Sequence, residues 1–89
     1  MRKHGRTDAN QVAIVTALRQ AGCSVHDTSQ LGGGFPDLVV RTRKRAIKLI
    51  EVKTPGGILT PAQETFRIYF PETVIVESVR DALIAVDNP

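Results

Sequence analysis

The chain has 89 residues, of which 42% are hydrophobic and 24% charged, and its formal net charge is +3. This length suffices for one domain without a second core, and the composition excludes an intrinsically disordered chain. A single cysteine excludes an intramolecular disulfide framework, and no apolar run approaches the ~20 residues of a membrane span, so we expect a protein of a reducing compartment that does not enter membranes.

The excess positive charge is concentrated in two segments, "MRKHGR" at the start and "RTRKRAIK" at residues 41–48. Local basic patches suit a polyanionic partner, although ordinary solubility explains the same charge equally well. We expect residues 1–7 to form a basic arm and residues 8–89 to form one domain.

The first half of the chain predicts a helix and a strand. "TDANQVAIVTALRQAG" carries a helix start signal at Asp8, with Gln11 in capping-box position and Gly22 closing the segment. Its apolar stripe comprises Val12, Ile14, Val15 and Leu18. "CSVHDTS" favours a short strand, and "QLGGGF" predicts a loop because successive glycines rarely hold regular structure.

The second half predicts three strands and two helices. "PDLVVRT" and "AIKLIEVK" indicate two strands joined by the basic turn "RKR". Thr60 as N-cap and Pro61 at the first helical position predict a helix to about Phe70. "TVIVES" is typical of a fourth strand, and Ser78 caps a final helix. The predicted order is therefore α-β-β-β-α-β-α.

The two central strands contain charges where a buried strand should be apolar. A three-residue connection makes Thr42 face Ala46, and this antiparallel register sets Asp37 opposite Glu51. Side chains alternate with period two, so Lys53 shares the face of Glu51. The opposite face is purely apolar and comprises Leu38, Val40, Ile50 and Val52.

Directly opposed carboxylates on a sheet are destabilising unless one is protonated or a cation lies between them. Two carboxylates with a backbone carbonyl and water match the oxygen-ligand preference of Mg²⁺ or Mn²⁺. Alternatively, Lys53 is only an internal counter-ion for Glu51 and Asp37, in a structural cluster without catalytic meaning. In the catalytic interpretation, Lys53 orients a water and stabilises negative charge on a phosphate.

These residues resemble a known signature. "PD" at residues 36–37, thirteen intervening residues and "EVK" at residues 51–53 are similar to the PD-(D/E)XK nuclease pattern. "GGGFPDLVV…LIEVKTPGGILTPAQ" most resembles small VRR-NUC-like and Holliday-junction-resolvase-like nucleases of phages and bacteria. The resemblance implies an α/β, restriction-endonuclease-like core: a mixed four-stranded sheet flanked by helices.

The resemblance also implies roles for individual residues. Asp37 and Glu51 would be metal ligands together with the carbonyl of Val52, and Lys53 would be the catalytic lysine. Gln63 matches the glutamine that follows "LTP" in such nucleases and is counted among the catalytic residues, although it is also explained as exposed helix surface.

The first helix fits the resemblance imperfectly. Gln11 occupies the place where an acidic residue is expected, and Asp8 lies one turn earlier. Either residue reaches the metal ion, directly or through water, or the pair serves only as a helix cap.

The implied function is that of a Mg²⁺-dependent DNA endonuclease that selects branched DNA or four-way junctions by shape and charge. We expect a homodimer with no membrane and no small-molecule cofactor, in the cytoplasm of a bacterium or a phage-infected cell. The rivals are a catalytically silent nucleic-acid-binding module and a domain that binds an acidic protein. The residues expected to contact nucleic acid are Arg2, Lys3, Arg6, Ser29, Gly33, Arg41, Arg43, Lys44 and Arg45.

Overall fold

Three helices and four strands follow one another in the predicted order. The structure, a computed structural model, describes residues 5–87, with side chains from residue 9 onward. The elements are α1 Gly5–Gln20, β1 Ser24–Asp27, β2 Leu38–Arg41, β3 Ile47–Val52, α2 Pro61–Tyr69, β4 Val74–Val76 and α3 Val79–Asp87.

The strands form one mixed sheet in the order β1-β2-β3-β4. The pairs β1–β2 and β2–β3 are antiparallel, whereas β3 and β4 are parallel. A parallel pair needs a crossover connection, and α2 supplies it. The predicted α/β class with a mixed four-stranded sheet and flanking helices is confirmed.

The hydrophobic core lies between one face of the sheet and the pair α1 and α3. It comprises Ile14, Leu18, Cys23, Leu38, Val40, Ile50, Val52, Val76, Ala82, Ala85 and Val86. The predicted apolar face of the hairpin is therefore correct, whereas Val12, expected in the stripe of α1, is 63% exposed. No helix within residues 5–87 is long and apolar enough to cross a membrane.

The β2–β3 hairpin has the predicted register. Val39 pairs with Leu49, and the N–H of Thr42 donates to the carbonyl of Ala46 at 2.8 Å. Arg45 closes the turn with a φ of +68°, an uncommon conformation for a side-chain-bearing residue. Because the register is set at this turn, it also fixes which residues meet at the other end of the hairpin.

The predicted start of α1 is wrong. The helix begins at Gly5, so residues 5–7 of the expected basic arm are helical, and Asp8 lies in the first turn instead of at the N-cap. Acidic residues are favoured both at N-caps and in first turns, and the sequence signal does not separate the two positions. The caps of the other helices are confirmed: the side chain of Thr60 caps α2, and the Oγ of Ser78 accepts from the N–H of Asp81 at 3.0 Å.

Candidate active site

Two carboxylates meet at the open end of the β2–β3 hairpin. Extending the observed pairing of Val39 with Leu49 by two residues sets Asp37 directly opposite Glu51. The Oδ2 atom of Asp37 accepts a hydrogen bond from the N–H of Val52 at 2.9 Å. In a strand the N–H and C=O of one residue point to the same side. The carbonyl of Val52 therefore points toward the side of Asp37.

Burial makes this pair electrostatically costly. The side chain of Glu51 is only 5% exposed, and burial, followed by the charge of Asp37, raises the pKa of Glu51 to about 8. Burial also raises the pKa of Asp37, although the hydrogen bond from Val52 opposes that change. Without a bound metal ion, the pair therefore retains a proton near neutral pH.

Lys53 neutralises this charge only partly. Its Nζ lies 3.9 Å from Oε2 of Glu51, beyond hydrogen-bond length. The closer partner of Nζ is Oε1 of Gln63 at 2.8 Å, and Nε2 of Gln63 donates to Oε2 of Glu51 at 2.7 Å. Gln63 thus bridges the lysine and the carboxylate, and Lys53 makes no direct hydrogen bond to Glu51.

The N-terminus of α2 holds Gln63 in place through a capping box. Oε1 of Gln63 accepts from the N–H of Thr60 at 2.9 Å, and the N–H of Gln63 donates to Oγ1 of Thr60 at 3.2 Å. Gln63 is therefore not merely exposed helix surface. Thr60 and Gln63 have the T-x-x-Q spacing that is the sequence signal of a capping box, whereas the prediction from sequence covers only Thr60 as the cap.

The donor set suits a hard divalent cation. Asp37, Glu51 and the carbonyl of Val52 present oxygen only, the ligand type that Mg²⁺ and Mn²⁺ prefer. Among the side chains that the structure describes, no group of three or more His, Cys, Asp or Glu residues is placed to hold a metal. Two carboxylates with water as the remaining ligands match the partly hydrated coordination usual for Mg²⁺.

The first helix contributes an amide that contacts a different carboxylate. Nε2 of Gln11 donates to Oδ2 of Asp27 at 3.0 Å, so Gln11 is not part of a helix cap. The side chain of Asp8 lies outside the described residues. Asp27, which sequence reasoning missed, ends β1 beside β2, and its charge raises the pKa of Asp37 further. Ten residues lie between Asp27 and Leu38, so the short-turn rule that gives the register of β2 and β3 does not predict that Asp27 lies near Asp37.

The loop between β1 and β2 holds two of the residues expected to contact phosphate. Ser29 donates to Oδ1 of Asp27 through its N–H at 2.9 Å and its Oγ at 2.6 Å. Gly33 is exposed, with a φ of +65°. Gly34 lies against the Ala62–Gln63 peptide of α2. The loop is thus built against the same helix turn that holds Gln63.

The basic residues of the hairpin turn lie at the other end of the strands. Arg41 lies four residues after Asp37, about 13 Å along a strand. The side chain of Arg43 lies over Gly22, and Nζ of Lys44 is 3.4 Å from the carbonyl of Asp87. Arg45, in the turn itself, is exposed. Arg2, Lys3 and the side chain of Arg6 lie outside the described residues.

The hairpin of this mixed sheet presents Asp37, Glu51 and Lys53 on one face. This fold and this arrangement of side chains define the class of PD-(D/E)XK-like nucleases. The sequence model of the VRR-NUC domain family matches residues 3–80. The chain therefore belongs to the VRR-NUC domain family of nucleases.

A solved structure described as a VRR-NUC domain shares the fold. Its TM-score is 0.76 at 22% sequence identity, and the alignment covers 92% of this chain and 95% of that chain. No curated protein matches the chain.

We predict that Glu51→Gln stabilises the metal-free protein at high pH. The pKa of Glu51 is about 8 when folded, against an ordinary value of 4.5. The folded state then binds more protons than the unfolded state between these values, and wild-type stability falls as pH rises through that window. Glutamine removes the buried charge, so in EDTA at pH 8 the variant should be more stable by about 1–2 kcal/mol, after allowance for solvent screening.

Urea unfolding from pH 4.5 to 8.5 measures this difference. Glu64→Gln, the same change at an exposed position of α2, is the matched control and should show no pH-dependent gain. A wild type whose stability rises toward pH 8 in EDTA would contradict the electrostatic account of the pair.

A second prediction concerns the contact between the glycine loop and α2. Gly34 has a φ of +83°, and a Cβ there would overlap the backbone of Ala62 and Gln63. Gly32, with a φ of +71°, has nothing within 4 Å of the same atom. Urea unfolding should show a loss of about 1 kcal/mol for Gly32→Ala from backbone conformation alone, and at least about twice that for Gly34→Ala. Equal losses would mean that the loop does not press on the helix.

Proposed function

We propose that this protein is a Mg²⁺-dependent endonuclease that hydrolyses phosphodiester bonds in DNA. The observation that carries the proposal is the buried pair Asp37 and Glu51, which lie opposite each other. Their raised pKa values mean that the ionised pair is unfavourable without a further positive charge, which a divalent cation would supply. Membership of a nuclease family supports the same reaction class.

Asp37, Glu51 and the carbonyl of Val52 would hold the ion. When bound, Mg²⁺ polarises a phosphate oxygen and lowers the pKa of a coordinated water. Mn²⁺ should replace Mg²⁺, because it accepts the same oxygen ligands. The chain's own contribution is to keep the two carboxylates close, partly dehydrated and aligned by the N–H of Val52.

Lys53 would act on the reacting phosphate or on the attacking water. An ammonium group has three N–H donors, and the bond to Gln63 uses one of them. The 3.9 Å separation from Glu51 leaves the others to donate to a phosphate oxygen or to orient the water. Placed next to the carboxylates, the positive charge would stabilise negative charge that develops on the phosphate. Gln63 would be a positioning residue that aligns Lys53 and Glu51 together.

The finer proposal is that the enzyme recognises branched DNA or four-way junctions and acts as a homodimer. The Cα atoms extend 32 × 29 × 22 Å, so one subunit spans roughly nine base pairs at 3.4 Å each. Two subunits related by a two-fold axis would bring two sites to two strands. The basic residues at the turn end of the hairpin would contact backbone phosphates, which position DNA without reading its sequence; they are Arg41, Arg43, Lys44 and Arg45.

Incubation with labelled DNA tests the proposal. Plasmid, flapped, forked and four-way-junction DNA, and matched RNA, are each offered with Mg²⁺, Mn²⁺ or EDTA. We expect cutting in either metal and none in EDTA, with at least about 100-fold slower cutting by Asp37→Ala and Lys53→Ala. Arg80→Ala removes an equal charge from an exposed position of α3, outside both basic segments, and should cut at the wild-type rate.

Each alternative gives a different result in this assay. Binding without cutting in every metal would instead identify a catalytically silent nucleic-acid-binding module. Absence of binding at moderate salt would favour a domain that binds an acidic protein. Equal cutting of linear and branched DNA would contradict the structure selectivity, and a monomer that cuts at full rate would contradict the dimer.

A further inference from the structure

Thr28 lies between β1 and the glycine loop and is nearly inaccessible, with 7% of its surface exposed. Its Oγ1 donates to the carbonyl of Pro36 at 2.7 Å, and its N–H donates to the carbonyl of Asp37 at 2.7 Å. One buried residue therefore holds two consecutive carbonyl groups of the segment that leads into β2.

These two carbonyls flank the Cα of Asp37. The carbonyl of Pro36 belongs to the peptide before that Cα, and the carbonyl of Asp37 belongs to the peptide after it. The two peptides are joined through the N–Cα and Cα–C bonds of Asp37. The rotations about these bonds, φ and ψ, are the only soft backbone dihedrals of a residue. Holding both peptide groups thus sets the direction of the Cα–Cβ bond from which the carboxylate extends.

Packing holds the chain before Asp37, because Gly34 lies against α2 and the side chain of Pro36 is fully buried, but backbone hydrogen bonds in this segment are few. The preceding glycines, Gly32, Gly33 and Gly34, all have positive φ and little intrinsic preference for one conformation. Pro36 has no N–H to donate to a neighbouring strand, and β2 begins only at Leu38. Thr28 therefore holds the chain by hydrogen bonds at Pro36 and Asp37, between the glycine loop and the start of β2.

We propose that Thr28 is a positioning residue of the candidate metal site, because its hydroxyl and N–H hold the backbone of Asp37 so that the carboxylate meets Val52 and faces Glu51. The inference rests on the proposed function, since Asp37 is a metal ligand only there. Residues that orient ligands in this way typically change metal affinity about 10–100-fold when they are removed.

Thr42 offers a matched control within the same hairpin. It is also a buried threonine, 4% exposed, and its Oγ1 accepts from the N–H of Ala46 at 3.1 Å. It lies at the turn, however, at the end of the hairpin away from Asp37. Removing its hydroxyl deletes this part-buried hydrogen bond, whereas the backbone hydrogen bond from Thr42 to Ala46, which sets the hairpin register, remains.

The experiment compares Thr28→Val, Thr28→Ser and Thr42→Val with the wild type. Mn²⁺ affinity is measured by calorimetry, and hydrogen exchange of the Val52 amide is measured by NMR in EDTA. Thr28→Val should bind Mn²⁺ at least about tenfold more weakly and exchange the Val52 amide faster. Thr28→Ser retains the hydroxyl and should stay within about threefold of the wild type on both measurements. Thr42→Val should lose stability while its Mn²⁺ affinity remains that of the wild type.

Wild-type Mn²⁺ affinity in a folded Thr28→Val variant, with an unchanged Val52 exchange rate, would overturn the inference. An equal loss of affinity in Thr42→Val would also overturn it, because general destabilisation would then explain both variants. A wild type that binds no Mn²⁺ would refute the proposed function instead. The exchange of the Val52 amide, compared between Thr28→Val and Thr42→Val, would still decide whether Thr28 positions Asp37.

Discussion

Electrostatic repulsion between Asp37 and Glu51 is the constraint on which the rest of the site depends. The hairpin register places the two carboxylates opposite each other, and burial withholds the water that would screen them. Such a pair is tolerated only when it carries a proton, lies beside a cation or binds a metal. The ammonium of Lys53 and the amide of Gln63 compensate part of this charge, and the remainder is the charge that the proposed divalent cation would compensate.

The fold keeps this costly pair in place by separating core from site across one sheet. One face carries Leu38, Val40, Ile50 and Val52 against α1 and α3, and it supplies the hydrophobic stabilisation. The other face carries the charges. α2, which has no buried residue, contributes less to the core than to the site, since its capping box is the device that holds Gln63 between Lys53 and Glu51.

Local patterns predicted most of the fold and the centre of the site. A three-residue turn and period-two alternation sufficed for the register that opposes Asp37 and Glu51. The contributions of Asp27 and Thr28 were missed because they depend on how β1 pairs across a ten-residue loop, which no short-range rule determines. The start of α1 was missed because an acidic residue suits two neighbouring positions of a helix.

The proton released when Mn²⁺ binds tests the central claim most directly. Calorimetric titration at pH 7, repeated in buffers of different ionisation enthalpy, counts that proton. With the pKa of Glu51 at about 8, binding should release about one proton at pH 7 and progressively fewer toward pH 9, and Glu51→Gln should release none. Binding of Mn²⁺ by the wild type without proton release at pH 7 would show that the pair is already ionised and would contradict the account.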